Sequence, residues 1–163
     1  MKGVDAESLE KQAVEIRLTV RVGGKIGELR APIMHPFHCM QSRLANVVDL
    51  HRDTDLSRRQ LEASPIVLRE YLSEVLEGGG HRHVTGVLQV LYDYLQSDPT
   101  GRKAHKSMEN DPAAILDHFQ DDKRLDVRWR ELSLASMRRM LAERRTAWGA
   151  MTARIKRAVG TGE

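Results

Sequence analysis

Alternating apolar and polar residues predict one β-hairpin near the start of the chain. From Val14 to Val22 the side chains alternate strictly, which is the period of a half-buried strand. Gly23-Gly24 can supply the positive φ angles of a tight turn, and 25–33 is then the return strand. Ile26 is out of phase with the other apolar residues of that strand, so we expect a β-bulge at Gly27.

The rest of the chain predicts helices. The predicted fold class is therefore mainly α with a small antiparallel β-hairpin (α+β). A helical bundle is expected to pack on this two-stranded sheet and to cover its apolar face. His35-Pro36 starts the first helix, because proline suits the first helical position. Ser57 is expected to cap the second helix, which Pro65 kinks or splits and glycines 78–80 end. The remaining predictions are an amphipathic helix over 84–95, a polar and partly helical connector over 101–108, a short helix after Asp111-Pro112, and a last helix from about 126 to 158.

The length and composition of the chain are those of a single domain. We assign 1–34 to an N-terminal turn and hairpin, 35–158 to a helical domain and 159–163 to a disordered tail. The 163 residues contain seven aromatic side chains of the Phe, Tyr and Trp types, so the core must be mostly aliphatic. One cysteine excludes an internal disulfide, and the apolar runs are too short to span a bilayer. A cytoplasmic protein without a membrane span is expected.

Positive charge is concentrated in the last helix. The net charge of the whole chain is +3, but 126–158 carries +6 and the remainder −3. Such a basic segment is typical of nucleic-acid binding, and it is also typical of the solvated face of a long helix. The candidate contacts to nucleic acid or a partner are Arg138, Arg139, Arg144 and Arg145.

The sequence HPFHC places two histidines and the cysteine within five positions. Zinc uses these side chains, but a third and fourth ligand at metal-binding spacing are missing, so we expect no metal here. His51, His81 and His83 could join only through tertiary structure. His38 and Cys39 diverge by about 100° on a helix, which argues against a catalytic pair.

Three other polar groups have a functional and a structural interpretation. Asp53-Thr54-Asp55 resembles a Mg²⁺ motif, but capping and turn chemistry explains it fully. His81-Arg82-His83 either binds an anion at a helix start or forms a polar first turn, and we favour the turn. Arg43 and Asn46 share a helix face. They either contact a nucleotide or phosphate, or tie the helix to the hairpin or to loop carbonyls, and we favour the structural tie.

The hairpin and first helix resemble a known family. The stretch ELRAPIMHPFHCMQSRLANV is similar to the segment that follows the catalytic sheet in bacterial nucleotidyltransferase-like proteins of the polymerase-β type. Two later stretches, ENDPAAILDHF and LDVRWRELSLASM, resemble the helical region of that family, so the likeness covers roughly 14–145. The matching motif residues are His35, Pro36, Cys39, Ser42, Arg43 and Asn46.

The resemblance has one important gap. Such transferases hold two Mg²⁺ with a pair of carboxylates at Asp-x-Asp spacing and a third from a later strand. No Gly-Ser turn and no acid pair precede Val14, and Glu15 is the single candidate for the third carboxylate. The resemblance therefore implies a transferase-like chain with no metal cofactor of its own. It would bind Mg²⁺ only if a partner chain completed the site.

Three functional hypotheses follow. The chain is a nucleotidyltransferase-like protein that is inactive alone or is completed by a partner. Alternatively it is a small helical protein that binds nucleic acid through the basic last helix, or an antitoxin-like regulator that binds one protein. Whether it is an enzyme stays open at this point. The free edges of the hairpin predict self-association, most simply as a homodimer, or pairing with a partner chain.

Overall fold

The computed structural model describes residues 13–52 and 54–159, excluding the side chains of Val22 and 152–159. It confirms a mainly α fold with one small hairpin. The elements are β1 (Val14–Val22), β2 (Lys25–Ile33), α1 (Pro36–Val48), α2 (Asp55–Glu77), α3 (His81–Ser97), α4 (Pro99–Ser107), α5 (Ala114–His118), a π-helical segment (Trp129–Leu134) and α6 (Ala135–Val159). No helix of the described part is long and apolar enough to cross a membrane.

The hairpin has a regular ladder. Gly23 and Gly24 have φ angles of +55° and +78°, which a two-residue type I′ turn requires and which glycine adopts without strain. Residues of β1 and β2 then pair one to one along both strands, with Gly27 opposite Val20. The expected bulge at Gly27 is therefore wrong. The turn fixes the register, and Ile26 simply lies on the polar face, where it is 66% exposed.

The apolar face of the hairpin is not covered by helices. Leu18 and Leu29 lie opposite each other on this face and are 44% and 50% exposed. Among the strand residues whose exposure is described, none is buried. The expectation that the bundle packs on the sheet is thus wrong, because the helices bury their apolar faces against one another instead.

Local signals explain how the first two helices begin. His35 is the N-cap of α1 and Pro36 its first residue, as predicted. The cap of α2 is Thr54 and not Ser57, because the Ser57 N–H donates to Thr54 Oγ1 at 3.2 Å. Asp53 lies outside the described residues, so the proposed Mg²⁺ motif is described only in part.

Of the two predicted effects of Pro65, the split is wrong, because α2 runs continuously from Asp55 to Glu77. A proline lacks the N–H that would bond the carbonyl four residues earlier, here that of Leu61. The buried Ser64 hydroxyl donates to this Leu61 carbonyl at 2.8 Å. The serine thus replaces the hydrogen bond that proline removes.

The polar, partly helical connector predicted over 101–108 is helical up to Ser107 and belongs to α4. Asp98 caps α4, because its carboxylate accepts from the Thr100 and Gly101 N–H groups at 2.9 and 3.1 Å. Gly101 is required at this corner, since a Cβ there would lie 2.3 Å from the Tyr94 carbonyl oxygen. The predicted last helix is also present, but it opens with the π-helical turn, which the sequence pattern did not predict.

The core is helical and mostly aliphatic, as the composition predicts. Its buried members come from α1 to α6 and the turns between them. The largest are Phe119, Met40, Leu44, Leu68, Leu72, Leu88, Leu91, Leu95, Leu116 and Leu134.

One polar network ties α4 to α6. His105 is 2% exposed, and its Nδ1 and Nε2 lie 2.8 Å from Asp111 Oδ2 and 3.0 Å from the Leu141 carbonyl oxygen. Arg145 also pairs with the Asp111 carboxylate. Burial lowers the pKa of His105, but the bonds to Asp111 and Leu141 outweigh it and raise the pKa above its ordinary value. Because both ring nitrogens face acceptor oxygens, the geometry suits the protonated ring, which can donate from both nitrogens.

Candidate anion-binding cleft

A cleft of about 620 Å³ lies between the N-terminal end of β1 and the helices α1, α2 and α3. We call it the histidine cleft. Its polar lining residues are His35, His38, Tyr71, Arg82 and His83, and its apolar ones include Val14, Phe37, Val87 and Val90.

His35 is the buried polar group of this cleft, 7% exposed. As the N-cap of α1, its Nδ1 accepts from the Phe37 N–H at 3.1 Å. A neutral imidazole has one donor and one acceptor nitrogen, so the proton must be on Nε2. Among the described residues, Nε2 has no hydrogen-bond partner. Leaving such a buried donor unpaired costs about 1–3 kcal/mol, which an acceptor entering the cleft would relieve.

Three rings surround His35. Tyr71 stands edge-on to it at a centroid distance of 5.1 Å, and His83 and His38 lie at 5.6 and 5.9 Å. The Tyr71 hydroxyl and His83 Nε2 share a hydrogen bond of 3.1 Å. His38 Nδ1 bonds Gln41 Oε1 at 3.0 Å. These contacts hold the lining rings in place while the Nε2–H of His35 keeps its capacity to donate.

The cleft keeps His35 neutral. Burial, and then the neighbouring His83 and His38, lower the pKa of His35 to about 4. Burial also raises the pKa of Tyr71, so its hydroxyl keeps its proton. At neutral pH the cleft therefore presents a neutral imidazole N–H donor, with the permanently charged Arg82 at its rim.

The lining carries no carboxylate among the described residues. Arg82 provides positive charge and His35 a donor, while Phe37, Val87 and Val90 provide an apolar wall. Few convergent polar groups in a mostly apolar concavity are the usual composition of a small-molecule site. The arrangement suits a carboxylate or phosphate attached to an apolar body.

The tautomer of His35 argues against a metal at HPFHC. Nδ1 is occupied by the Phe37 N–H and Nε2 bears the proton, so this ring has no free lone pair for a cation. No group of three or more metal-ligating side chains converges anywhere in the described residues. His38 and Cys39 line different clefts, so they do not form a catalytic pair.

A smaller cleft of about 170 Å³ between α1 and α2 is lined by three of the other motif residues, Pro36, Cys39 and Arg43. Arg43 is half-buried there, and its guanidinium forms no hydrogen bond or ion pair with any described residue. The predicted tie of Arg43 and Asn46 to the hairpin or to loop carbonyls is therefore absent from the described part. Ser42 is exposed and Asn46 is half-buried.

Three of the four predicted basic contacts serve the fold. Arg138 pairs with Asp117, and Arg145 with Asp111. Arg144 donates to the Gln96 carbonyl. Arg139 is the most exposed of the four and lies 4.0 Å from Glu143. The solvated-helix interpretation thus accounts for Arg139, while the other three bridge between elements.

Glu15, the catalytic candidate, lies on the exposed polar face of the hairpin. Its carboxylate is within 3.9 Å of Arg17 and 3.6 Å of Arg30. It does not line the histidine cleft. No second acid of the described residues joins it in a metal-ligating group.

Tyr71 was not predicted from the sequence, whereas Arg82 and His83 were considered as anion ligands and then assigned to a polar first turn. His35 and His83 are 48 positions apart, and their approach depends on how α1 packs near α3, which no local pattern records. One available signal was a polar N-cap residue followed by the apolar Pro36 and Phe37, since such a cap residue becomes buried when its helix packs.

No protein-family model matches the chain, and no curated protein or solved structure matches it significantly. The resemblance to nucleotidyltransferase-like proteins therefore stays a prediction.

Proposed function

We propose that this protein binds a small organic anion, a carboxylate or phosphate on an apolar body, in the histidine cleft. The observation that carries the proposal is the buried Nε2–H of His35, which lacks an acceptor among the described residues. Arg82 supports it, because a guanidinium and an N–H donor in one cleft without a carboxylate favour a negatively charged acceptor.

The nucleotidyltransferase-like hypothesis makes a nucleoside phosphate the first ligand to try. In that hypothesis His35-Pro36 belongs to the family motif, and His35 also lines the cleft. The chain would bind the nucleotide and not transfer it alone, since transfer needs clustered carboxylates that hold Mg²⁺. Incubation of the isolated protein with labelled nucleoside triphosphates and Mg²⁺ should yield no more product than the Glu15→Gln variant.

The binding test uses calorimetry at pH 7 with inorganic phosphate, phenyl phosphate and adenosine monophosphate. The two organic phosphates should bind more tightly than inorganic phosphate, because the cleft also offers an apolar wall. His35→Asn keeps an acceptor for the α1 cap but is too short to reach the position of Nε2. Loss of one charge-assisted hydrogen bond should weaken binding about 10- to 100-fold.

Arg82→Gln should weaken binding to a similar extent. Its matched control is Arg59→Gln, which removes an exposed arginine of α2 that lies outside the cleft lining. Melting temperatures close to that of the unmodified protein would show that the variants fold. Equal affinity in His35→Asn, Arg82→Gln and Arg59→Gln, or no binding of any of the three phosphates, would refute the site.

We also propose that the partner of the hairpin is a second copy of this chain. Leu18, Leu29 and Ile33 leave an exposed apolar face on a two-stranded sheet, and identical faces can pack about a two-fold axis. On the opposite face, Glu15 and Glu28 are paired with Arg17 and Arg30. Sedimentation should show a dimer that Leu18→Lys dissociates. A monomer from micromolar to several hundred micromolar would exclude self-association.

A further inference from the structure

A second cationic feature lies on the surface formed by α4 and α6. Three positive groups surround the ring of Trp148: Arg102 Cζ at 5.9 Å, Lys106 Nζ at 5.6 Å and Arg144 Cζ at 5.6 Å from its centroid. We call these four residues the Trp148 cluster. Each pair of cation and ring is within the distance at which the indole face attracts positive charge.

The cluster holds positive charge that no carboxylate neutralises. None of the three cations forms an ion pair with any residue in the described ranges. In contrast, Arg138 and Arg145 of the same helix are paired with Asp117 and Asp111. Three like charges around one ring repel one another, so a bound anion would stabilise the arrangement.

The indole also orders these long side chains before any ligand arrives. Arg102 and Lys106 are exposed and four residues apart on α4, and Arg144 is further fixed by donating to the Gln96 carbonyl at the end of α3. Holding flexible cations in place lowers the side-chain entropy that binding must otherwise overcome. Trp148 itself is half-buried and keeps part of its ring at the surface.

We propose that the Trp148 cluster is a docking surface for the phosphate backbone of single-stranded nucleic acid. Cations distributed around an aromatic ring are the combination with which proteins follow a flexible polyanion. The segment 126–158 has a net charge of +6, and +4 remains once the pairing of Arg138 and Arg145 with Asp117 and Asp111 is counted. An extended positive segment suits a long polyanion better than an isolated phosphate. This surface is separate from the histidine cleft, and the proposal does not depend on the binding site proposed there.

The test is fluorescence anisotropy with a labelled 20-nucleotide single-stranded oligouridylate and oligothymidylate between 50 and 200 mM salt. The double variant Arg102→Gln/Lys106→Gln should lose at least about tenfold in affinity at 50 mM salt. Two fewer phosphate contacts should reduce the slope of log affinity against log salt by about 1.4. Trp148→Phe should bind nearly as well as the unmodified protein, whereas Trp148→Leu should weaken binding, because the phenyl ring keeps a face for the cations.

The matched control is Arg59→Gln/Lys123→Gln, which removes the same total charge from exposed positions outside the cluster. It should change affinity less than threefold, with an unchanged melting temperature in every variant. Equal losses in both double variants would overturn the proposal, as would no oligonucleotide binding at 50 mM salt. Tighter binding of a phosphoserine peptide or of vesicles containing phosphatidylserine than of either oligonucleotide would also overturn it.

Discussion

The two buried histidines of this protein lie in opposite environments. His105 uses both ring nitrogens, towards Asp111 and the Leu141 carbonyl, and its pKa is raised. His35 uses Nδ1 for the cap of α1 and leaves Nε2 unpartnered among the described residues, and its pKa is lowered to about 4. One ring is a charged link between α4 and α6, and the other is a neutral donor in a cleft.

The difference separates a structural polar group from a candidate functional one. Buried polar networks that are fully satisfied stabilise a unique packing, and an incomplete one calls for an explanation. The His105 network needs nothing from outside. The His35 donor needs an acceptor, and the cleft beside it provides room for one.

The largest expected effect comes from removing the charged link. His105→Leu removes the side-chain donor to the Leu141 carbonyl and leaves Asp111 with one partner fewer in a largely buried place. We expect a loss of about 3–5 kcal/mol in the free energy of unfolding, measured by urea denaturation. His118→Leu, at an exposed histidine, is the control and should change it by less than about 0.5 kcal/mol. Equal losses of unfolding free energy in the two variants would show that His105 contributes no more to stability than an exposed histidine.

The pH dependence of stability should distinguish the two rings by sign. The folded-state pKa of His35 is about 4, below the ordinary 6.5, so stability falls as pH drops from 6.5 to 4, by up to about 3 kcal/mol. The pKa of His105 is raised, so its contribution is complete below 6.5 and disappears as pH rises through the folded-state pKa. In denaturation experiments from pH 4 to 8, the free energy of unfolding of His35→Asn should fall less between pH 6.5 and 4 than that of the unmodified protein. An equal fall would contradict the assignment of a lowered pKa to His35.

Ser64 gives a third, smaller case, because it is the remaining polar residue among the buried ones that the structure describes. Its hydroxyl serves the Leu61 carbonyl that Pro65 leaves without a donor. Ser64→Ala should lower the free energy of unfolding by about 1–2 kcal/mol. The double variant Ser64→Ala/Pro65→Ala restores the backbone N–H and should recover most of that loss. No recovery would show that the hydroxyl matters for another reason.

Features that depend on neighbouring residues were predictable from the sequence, and tertiary contacts between distant residues were not. The hairpin, its Gly23-Gly24 turn and the start of α1 at Pro36 depend on neighbouring residues, and all three predictions are confirmed. The cap at Thr54 was missed because Ser57, three positions later, is an equally good capping residue. Helices were expected to cover the hairpin because one of its faces is apolar. A strand pattern identifies such a face but does not show what packs on it.

The candidate site was predictable only through His35. Tyr71 and His83 reach it from α2 and α3, so their roles depend on how three helices pack. The arginines of the last helix could be recognised as a basic group from the sequence, but their partners could not. Composition marked them as a charged surface, while Arg138 and Arg145 are held by aspartates from distant parts of the chain.

The π-helical turn over Trp129–Leu134 has a consequence for chain length. A π turn accommodates one residue more than an α turn, and each residue of an α-helix advances its direction by about 100°. Deleting one exposed residue of that turn, such as Leu132, would let it close into a regular α turn and leave the helix beyond it in phase. The same deletion early in the regular part of α6 would rotate everything that follows by about 100° and turn Trp148 away from α4. The π-helical turn is thus a place where the chain can lose a residue without changing the surface that α6 presents.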